Sequence, residues 1–224
     1  MPRWIRIEGP EDSIATLVLA RPEKRNALSI ALRDEISAAL DALAREPSLK
    51  LLILTGEGET FCAGFDLKEF ESASDPEFAR TLWASSDRYH RTVLEFPLPT
   101  LAALNGPALA GGFDLAVLCD MRIAVRSAYF AHPEIAFGDV VYGPLRELVG
   151  GAVARELCLT GRRLDAEEAL RLHLVSAVVE PEHLREEARR VAAQVTRAPR
   201  EVLLRTKAKI LRRAGLRVGE TLDL

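Results

Sequence analysis

The residues best equipped for chemistry lie in one stretch, TLAALNGPALAGGFDLAVLCDMRIAVRSAYFAHPEIAFGD, residues 100–139. Gly111 and Gly112 open a helical pattern over Phe113 to Leu118, with Asp114 in its first turn. The first amides of a helix lack internal partners and the dipole draws negative charge, so such a turn can hold an anion. Further along stands His132-Pro133-Glu134. Donors that polarise a carbonyl, beside carboxylates that carry protons, suit proton transfer next to that carbonyl. An apolar setting raises a carboxyl's pKa and makes it a better base, and Pro133, Ile135 and Ala136 flank Glu134.

These groups need a scaffold, and the chain has the length and composition for one. Its 224 residues, 48% hydrophobic and 28% charged, describe one globular domain with a sizeable core and a helical appendage. A net charge of −3 gives no basic footprint, so nucleic acid is not an expected partner. No apolar run reaches the ~18 residues of a membrane span, and the N-terminal residues lack a signal-peptide apolar block. Cys62, Cys119 and Cys158 are odd in number, far apart and set among apolar neighbours, which favours reduced thiols in a cytoplasmic protein over disulfides or a metal site.

Trp4 to Glu8 and Ile14 to Ala20 read as a strand hairpin. Ser29 can cap a helix whose Leu32, Ile36, Leu40 and Leu43 share one face, and Leu51 to Leu54 reads as a strand buried on both faces. Residues 67–95 read as a helical, mobile insertion over the site. The central stretch then supplies a strand at Thr100 to Leu104, the helix, and a second strand at Met121 to Phe130. Leu145 to Leu159 is a helix; Asp165 and Glu168 form a capping box for Ala166 to Leu172; Val175 to Val179 is a strand. Two amphipathic helices, Pro181 to Val195 and Pro199 to Arg213, close the chain. Strand–helix alternation followed by helices alone gives an α/β core, residues 1–180, with a helical C-terminal section, 181–224.

The ordered set ARPEKRNALS, LLILTGEGETFCAGFDLKEF, PTLAALNGPALAGGFDLAVLCDMRIA, AYFAHPEIAFG and LTGRRLDAEEALRLHLVSAVV resembles the enoyl-CoA hydratase/isomerase, or crotonase, superfamily over most of residues 14–183. The resemblance implies a spiral of ββα units, C-terminal helices used for trimer contacts or a dimer of trimers, an acyl-CoA thioester as substrate, and no cofactor beyond the coenzyme A that the substrate carries. It implies that the backbone N–H groups of Phe65 and Gly111 form the oxyanion hole. It implies that Glu134 is the acid/base, with Asp114 in the place of a second glutamate. Lys24, Arg25 and Ala27, with Ala63, Asp66, Leu67 and Lys68, match the coenzyme A-binding segments. No metal is implied.

The chain departs from the hydratase pattern in three ways. Asp114 is one methylene shorter than the glutamate it replaces. The loop after Glu134 is about four residues short, so Asp139 and Tyr142 enter its space. The C-terminal end is shorter than is usual for the family, as a truncated or naturally short tail. Hydration of a 2-enoyl-CoA by Glu134 and Asp114 leads. Double-bond migration by Glu134 alone, another crotonase chemistry, and a non-catalytic acyl-CoA-binding or assembly subunit are the alternatives. There is no GxSxG elbow for a serine hydrolase and no GxGxxG for a nicotinamide dehydrogenase. Bland roles compete at single positions: a helix cap at Asp66, solvated charges at Lys24 and Arg25, a packing residue at His132, surface residues at His90, His173 and His183, a small buried residue at Cys62, and a structural hydrogen-bonder at Asp120.

Overall fold

A computed structural model describes residues 4–72, 74–214 and 216. In chain order the elements are β1 (Ile5–Glu11), β2 (Ile14–Leu19), α1 (Ile30–Leu43), β3 (Leu51–Gly56), α2 (Leu67–Glu71), α3 (Pro76–Leu94), β4 (Thr100–Leu104), β5 (Ala108–Leu109), α4 (Gly111–Leu118), β6 (Met121–Val125) and β7 (Tyr129–Ala131). There follow α5 (Gly143–Val149), α6 (Gly151–Thr160), β8 (Leu164–Asp165), α7 (Ala166–Arg171), β9 (Val178–Val179), α8 (Leu184–Thr196) and α9 (Arg200–Ala214).

The large sheet runs β1-β2-β3-β4-β6-β9, antiparallel in the β1–β2 hairpin and parallel thereafter. The small sheet runs β5-β7-β8, and a parallel bridge from Cys62 to Ala108 extends it. After β3, β4 and β6 the chain crosses to the small sheet, at Cys62, β5 and β7 respectively, before entering helices. That repetition is the ββα spiral. β3 and β4 pair on both sides, so their near-continuous apolar runs are buried, as doubly covered parallel strands require.

Local chemistry accounts for several boundaries. Ser29 caps α1, its Oγ accepting from the Leu32 amide at 3.3 Å, and Leu32, Ile36, Leu40 and Leu43 are buried along one stripe. Asp165 caps α7, accepting from Glu168 N at 2.7 Å, while the Glu168 carboxylate turns to Arg162 instead of completing the box. α8 lays Leu184, Ala188 and Ala192 into the core against the large sheet.

Several expectations are corrected, the strand over Val175 to Val179 among them, which is reduced to β9 at Val178–Val179. The single strand over Met121 to Phe130 is two, β6 and β7, in different sheets, because the chain turns where Ala128 N bonds Val125 O at 3.0 Å. The helix over Leu145 to Leu159 is broken into α5 and α6 at Gly150, whose φ of 80° no helix accommodates. The helices expected within residues 67–95 are α2 and α3, but α3 packs into the core rather than over the site, burying Leu82, Ser85, Ser86, Tyr89, His90, Val93 and Leu94. The inward stripe carries serines and a histidine, which hid it from a hydrophobic reading. His90, expected at the surface, is thus enclosed, and burial lowers its pKa to about 4. His173 and His183 are exposed, as expected.

Candidate active site

The site begins where β5 hands the chain to α4. β5 pairs in parallel with β7, Leu109 opposite Ala131, and Ala110 N donates to Ala131 O at 2.9 Å. Ala110 then takes φ 50° and ψ −129°, a conformation that costs a residue with a Cβ on the order of 1–3 kcal/mol. This sharp turn starts α4 at Gly111 itself. α4 sits so close to the 62–65 segment that a Cβ on Gly112 would lie 2.2 Å from Cys62 O, and one on Gly111 would lie 2.9 Å from the Phe65 ring. The small residues are required by this approach.

Phe65 is aimed from the other side. Leu28 N donates to Gly64 O at 2.8 Å and Asp66 N donates to Leu28 O at 3.4 Å, a parallel bridge that uses the residues flanking Phe65. The Phe65 amide therefore points away from Leu28. Gly64, at φ 88°, has its missing Cβ position 3.1 Å from Gly111 N, so the two expected oxyanion donors stand on touching segments. Among the described residues neither amide has a hydrogen-bond acceptor in the protein. Cys62 beneath them is fully buried, donates Sγ–H to Asn26 O, and has its thiol pushed up to about 12 by burial, an inert packing residue.

The carboxylates meet at His132. Its Nδ1–H donates to Glu134 Oε1 at 2.9 Å, and the same nitrogen lies 3.9 Å from Asp114 Oδ1. The imidazole is held by Phe113, whose ring stacks on it with centroids 4.6 Å apart. Asp114 Oδ1, Glu134 Oε2 and His132 Nε2 are buried atoms without a partner among the described residues. Groups of this kind in a native fold call for a ligand or water. Burial raises the Asp114 carboxyl to about 7; nearby His132 works against this rise and Glu134 adds to it. At His132 burial works to lower the pKa, but the hydrogen bond that its ring donates to Glu134 and the charges of Asp114 and Glu134 outweigh this and raise it.

The apolar enclosure expected around Glu134 is found around Asp114 instead. Pro133 and Ala136 are exposed and Glu134 is half-buried, because Pro133–Ala136 is a short 3-10 turn on the rim. Asp114 is 5% exposed, on a helix buried throughout. His132, expected as a packing residue, is packed as expected, buried and stacked on Phe113, and it also bonds Glu134 and lies near Asp114. Its place two residues before Glu134, at the end of β7, was the available signal. Asp139 is exposed and Tyr142 half-buried, near α6.

The residues expected to bind coenzyme A are brought together by two interlocked loops. Asn26, fully buried, donates to Glu57, Thr60 and Phe61 carbonyls and accepts from Arg21 N; Ala63 N donates to Arg25 O at 3.0 Å. Lys24, Arg25, Leu67 and Lys68 are exposed along this rim, and Ala27 and Ala63 are half-buried. Asp66 caps α2 through Lys68 N and pairs with Arg21 at 3.0 Å, so both its oxygens are engaged. Asp120 is structural, accepting from Thr100 and, at 2.6 Å, from Lys207. Two grooves elsewhere, lined by residues of α8 and of β1 to β3, contain neither Glu134 nor Asp114.

The ββα spiral, with its mostly parallel large sheet and the small sheet that its chain crosses to, is the crotonase fold. The description Enoyl-CoA hydratase/isomerase matches residues 9–222, and the chain belongs to that family. It is 37% identical over 190 residues, 83% of this chain and 73% of the relative, to a crotonyl-CoA hydratase of Syntrophomonas wolfei subsp. wolfei. It is 34% identical to enoyl-CoA hydratase domain-containing protein 3, mitochondrial, of Rattus norvegicus, over 88% of this chain and 67% of that one. Enoyl-CoA hydratase from Bacillus anthracis superposes with a TM-score of 0.89 at 32% identity, over 96% of this chain and 85% of that one.

Proposed function

We propose that the protein adds water across the 2,3 double bond of an acyl-CoA thioester. The observation that carries this reading is the convergence of Asp114 and Glu134 on one histidine nitrogen, each keeping a buried, unpartnered oxygen, beside the free amides of Phe65 and Gly111.

The thioester oxygen sits between the Phe65 and Gly111 amides. Glu134 takes a proton from water as the water oxygen bonds to C3. The π electrons shift to C2 and the thioester oxygen, and the resulting enolate is held by the two amides and the α4 dipole. Glu134 then returns the proton to C2, regenerating the thioester carbonyl. Asp114 accepts the second water proton as a hydrogen bond, which orients the nucleophile. The coenzyme A moiety lies along the rim of Lys24, Arg25, Ala27, Ala63, Leu67 and Lys68, with phosphates toward the cations. Asp66, its carboxylate turned inward, meets it through its backbone.

Residues 181–224 are proposed as a C-terminal section that serves oligomerisation, as a trimer or a dimer of trimers. Val202 and Ile210 of α9 are 40% and 52% exposed, an apolar strip for another subunit. No helix among the described residues is long and apolar enough to cross a membrane, and three buried free cysteines suit a reducing, cytoplasmic setting.

The reaction is tested with crotonyl-CoA in isotopically labelled water. Appearance of 3-hydroxybutyryl-CoA carrying the label supports hydration. Migration of the double bond of a 3-enoyl-CoA without label uptake assigns an isomerase instead.

A further inference from the structure

We propose that Arg33, a buried cation of α1, is a positioning residue for the Phe65 half of the oxyanion hole, and that its charge favours the enolate formed there. The proposal rests on the hydratase reading for the identity of that anion.

Arg33 is fully buried. Its Nη1 donates to Leu28 O at 2.8 Å, the carbonyl that also accepts from Asp66 N in the bridge around Phe65. The guanidinium lies over the Phe65 ring, its central carbon 4.4 Å from the centroid. One cation thus grips the Phe65 segment twice, by the backbone that aims its amide and by its side chain. The remaining bonds, Nε to Ser85 Oγ at 3.2 Å and Nη2 to Leu82 O at 3.3 Å, tie the arginine to α3. A purely structural strut between α1 and α3 would need only these two.

The charge is the second half of the argument. An arginine remains ionised in a protein interior, and burying a cation without a counterion is costly. Among the described residues no carboxylate forms a direct ion pair with Arg33: Glu69, the nearest in electrostatic effect, is held by the Ile30 amide through both oxygens, and the link to Asp34 runs through Ser85, whose Oγ donates to Asp34 Oδ1 at 3.2 Å, so the charge is only partly compensated at a distance. A bound thioester carbonyl is neutral, whereas the enolate oxygen at the Phe65 amide is an anion. The guanidinium therefore favours the enolate over the ground state, the difference that accelerates a reaction.

The test compares wild type with Arg33→Lys, Arg33→Gln and Arg33→Met, each shown to be fully folded by urea titration under assay conditions. Two quantities are read: kcat and KM for crotonyl-CoA, and the red shift of bound 2,4-hexadienoyl-CoA, which reports carbonyl polarisation. Arg33→Met is expected to lower kcat by about 10–100-fold with KM within about threefold. Arg33→Lys, which keeps the charge, should recover part of the rate and of the red shift, and Arg33→Gln less. Equal rates and red shifts for Lys, Gln and Met variants, or wild-type values in all three, would overturn the proposal. Wild type that fails to hydrate crotonyl-CoA, while its red shift still shrinks in Arg33→Met, removes the hydratase reading and leaves Arg33 in place.

Discussion

Asp114 is the residue at which folding and chemistry conflict. Burial holds its carboxyl protonated up to about pH 7, against an ordinary value of 3.8. The folded state therefore binds this proton more tightly than the unfolded state. The stability it confers is complete below pH 4 and is lost as pH rises toward 7. His132, also raised, shifts stability in the same direction, its contribution present in acid and lost as pH climbs through its folded value. Asp114→Asn mimics the neutral carboxyl. Its stability relative to wild type should rise by about 2–4 kcal/mol between pH 4.5 and pH 8, read from urea midpoints. A pH-independent difference would contradict the burial argument. The same ionisation makes Asp114 an acceptor for water, so kcat/KM should climb through pH 7 in wild type, and that inflection should vanish in Asp114→Asn.

The residue types of the site were legible in the sequence; their meeting was not. Asp114 and Glu134 stand out by residue type and by their neighbours in the chain. What joins them is the pairing of β5 with β7, and β5 is two residues long. A strand that short has no periodicity to read. His132 is a packing residue by its stack on Phe113, and only the bond to Glu134, made by the same tertiary pairing, ties it to the carboxylates as well.

At the scale of elements, the site depends on how closely α4 approaches the 62–65 segment. Gly112→Ala would drive its Cβ into Cys62 O. It should cost about 1–3 kcal/mol in stability by overpacking, and about 10²-fold or more in kcat by shifting the Gly111 amide. Unchanged kcat in a folded Gly112→Ala protein would show that α4 placement is not critical. Most elements were foreseen from propensity and caps: the hairpin, the Ser29-capped α1, the buried β3 and the Asp165-capped α7. The misreadings share a physical cause. Met121 to Phe130 and Leu145 to Leu159 each carry enough apolar residues to read as one element, while the breaks fall at short polar or glycine steps inside them, Arg126-Ser127 in the turn between β6 and β7 and Gly150 with its positive φ. α3 carries a buried face that includes Ser85, Ser86 and His90, polar side chains whose partners lie inside the protein, Ser85 with Arg33 and His90 with Ser86, so its hydrophobic pattern is weak.

At the scale of the molecule, a C-terminal helix is bolted to the active-site layer. Lys207 of α9 is 3% exposed and pairs with Asp120, which accepts in turn from the amide and hydroxyl of Thr100 at the start of β4. Removing one partner of such a pair strands the other. Lys207→Met should therefore destabilise the chain by about 3 kcal/mol, read as a lowered urea midpoint. If α9 also serves assembly, light scattering should find a trimer or hexamer in the wild type, and Ile210→Glu should shift it toward monomer. A wild-type monomer would contradict the assembly role.

The most direct test of the central claim is the rate of crotonyl-CoA hydration by wild type, Glu134→Gln and Asp114→Asn side by side. The two-carboxylate account predicts an active wild type, with Glu134→Gln reduced by about 10²–10⁴-fold and Asp114→Asn by a smaller but clear factor. Full activity in Glu134→Gln, or an inactive wild type that still binds the thioester, would contradict it.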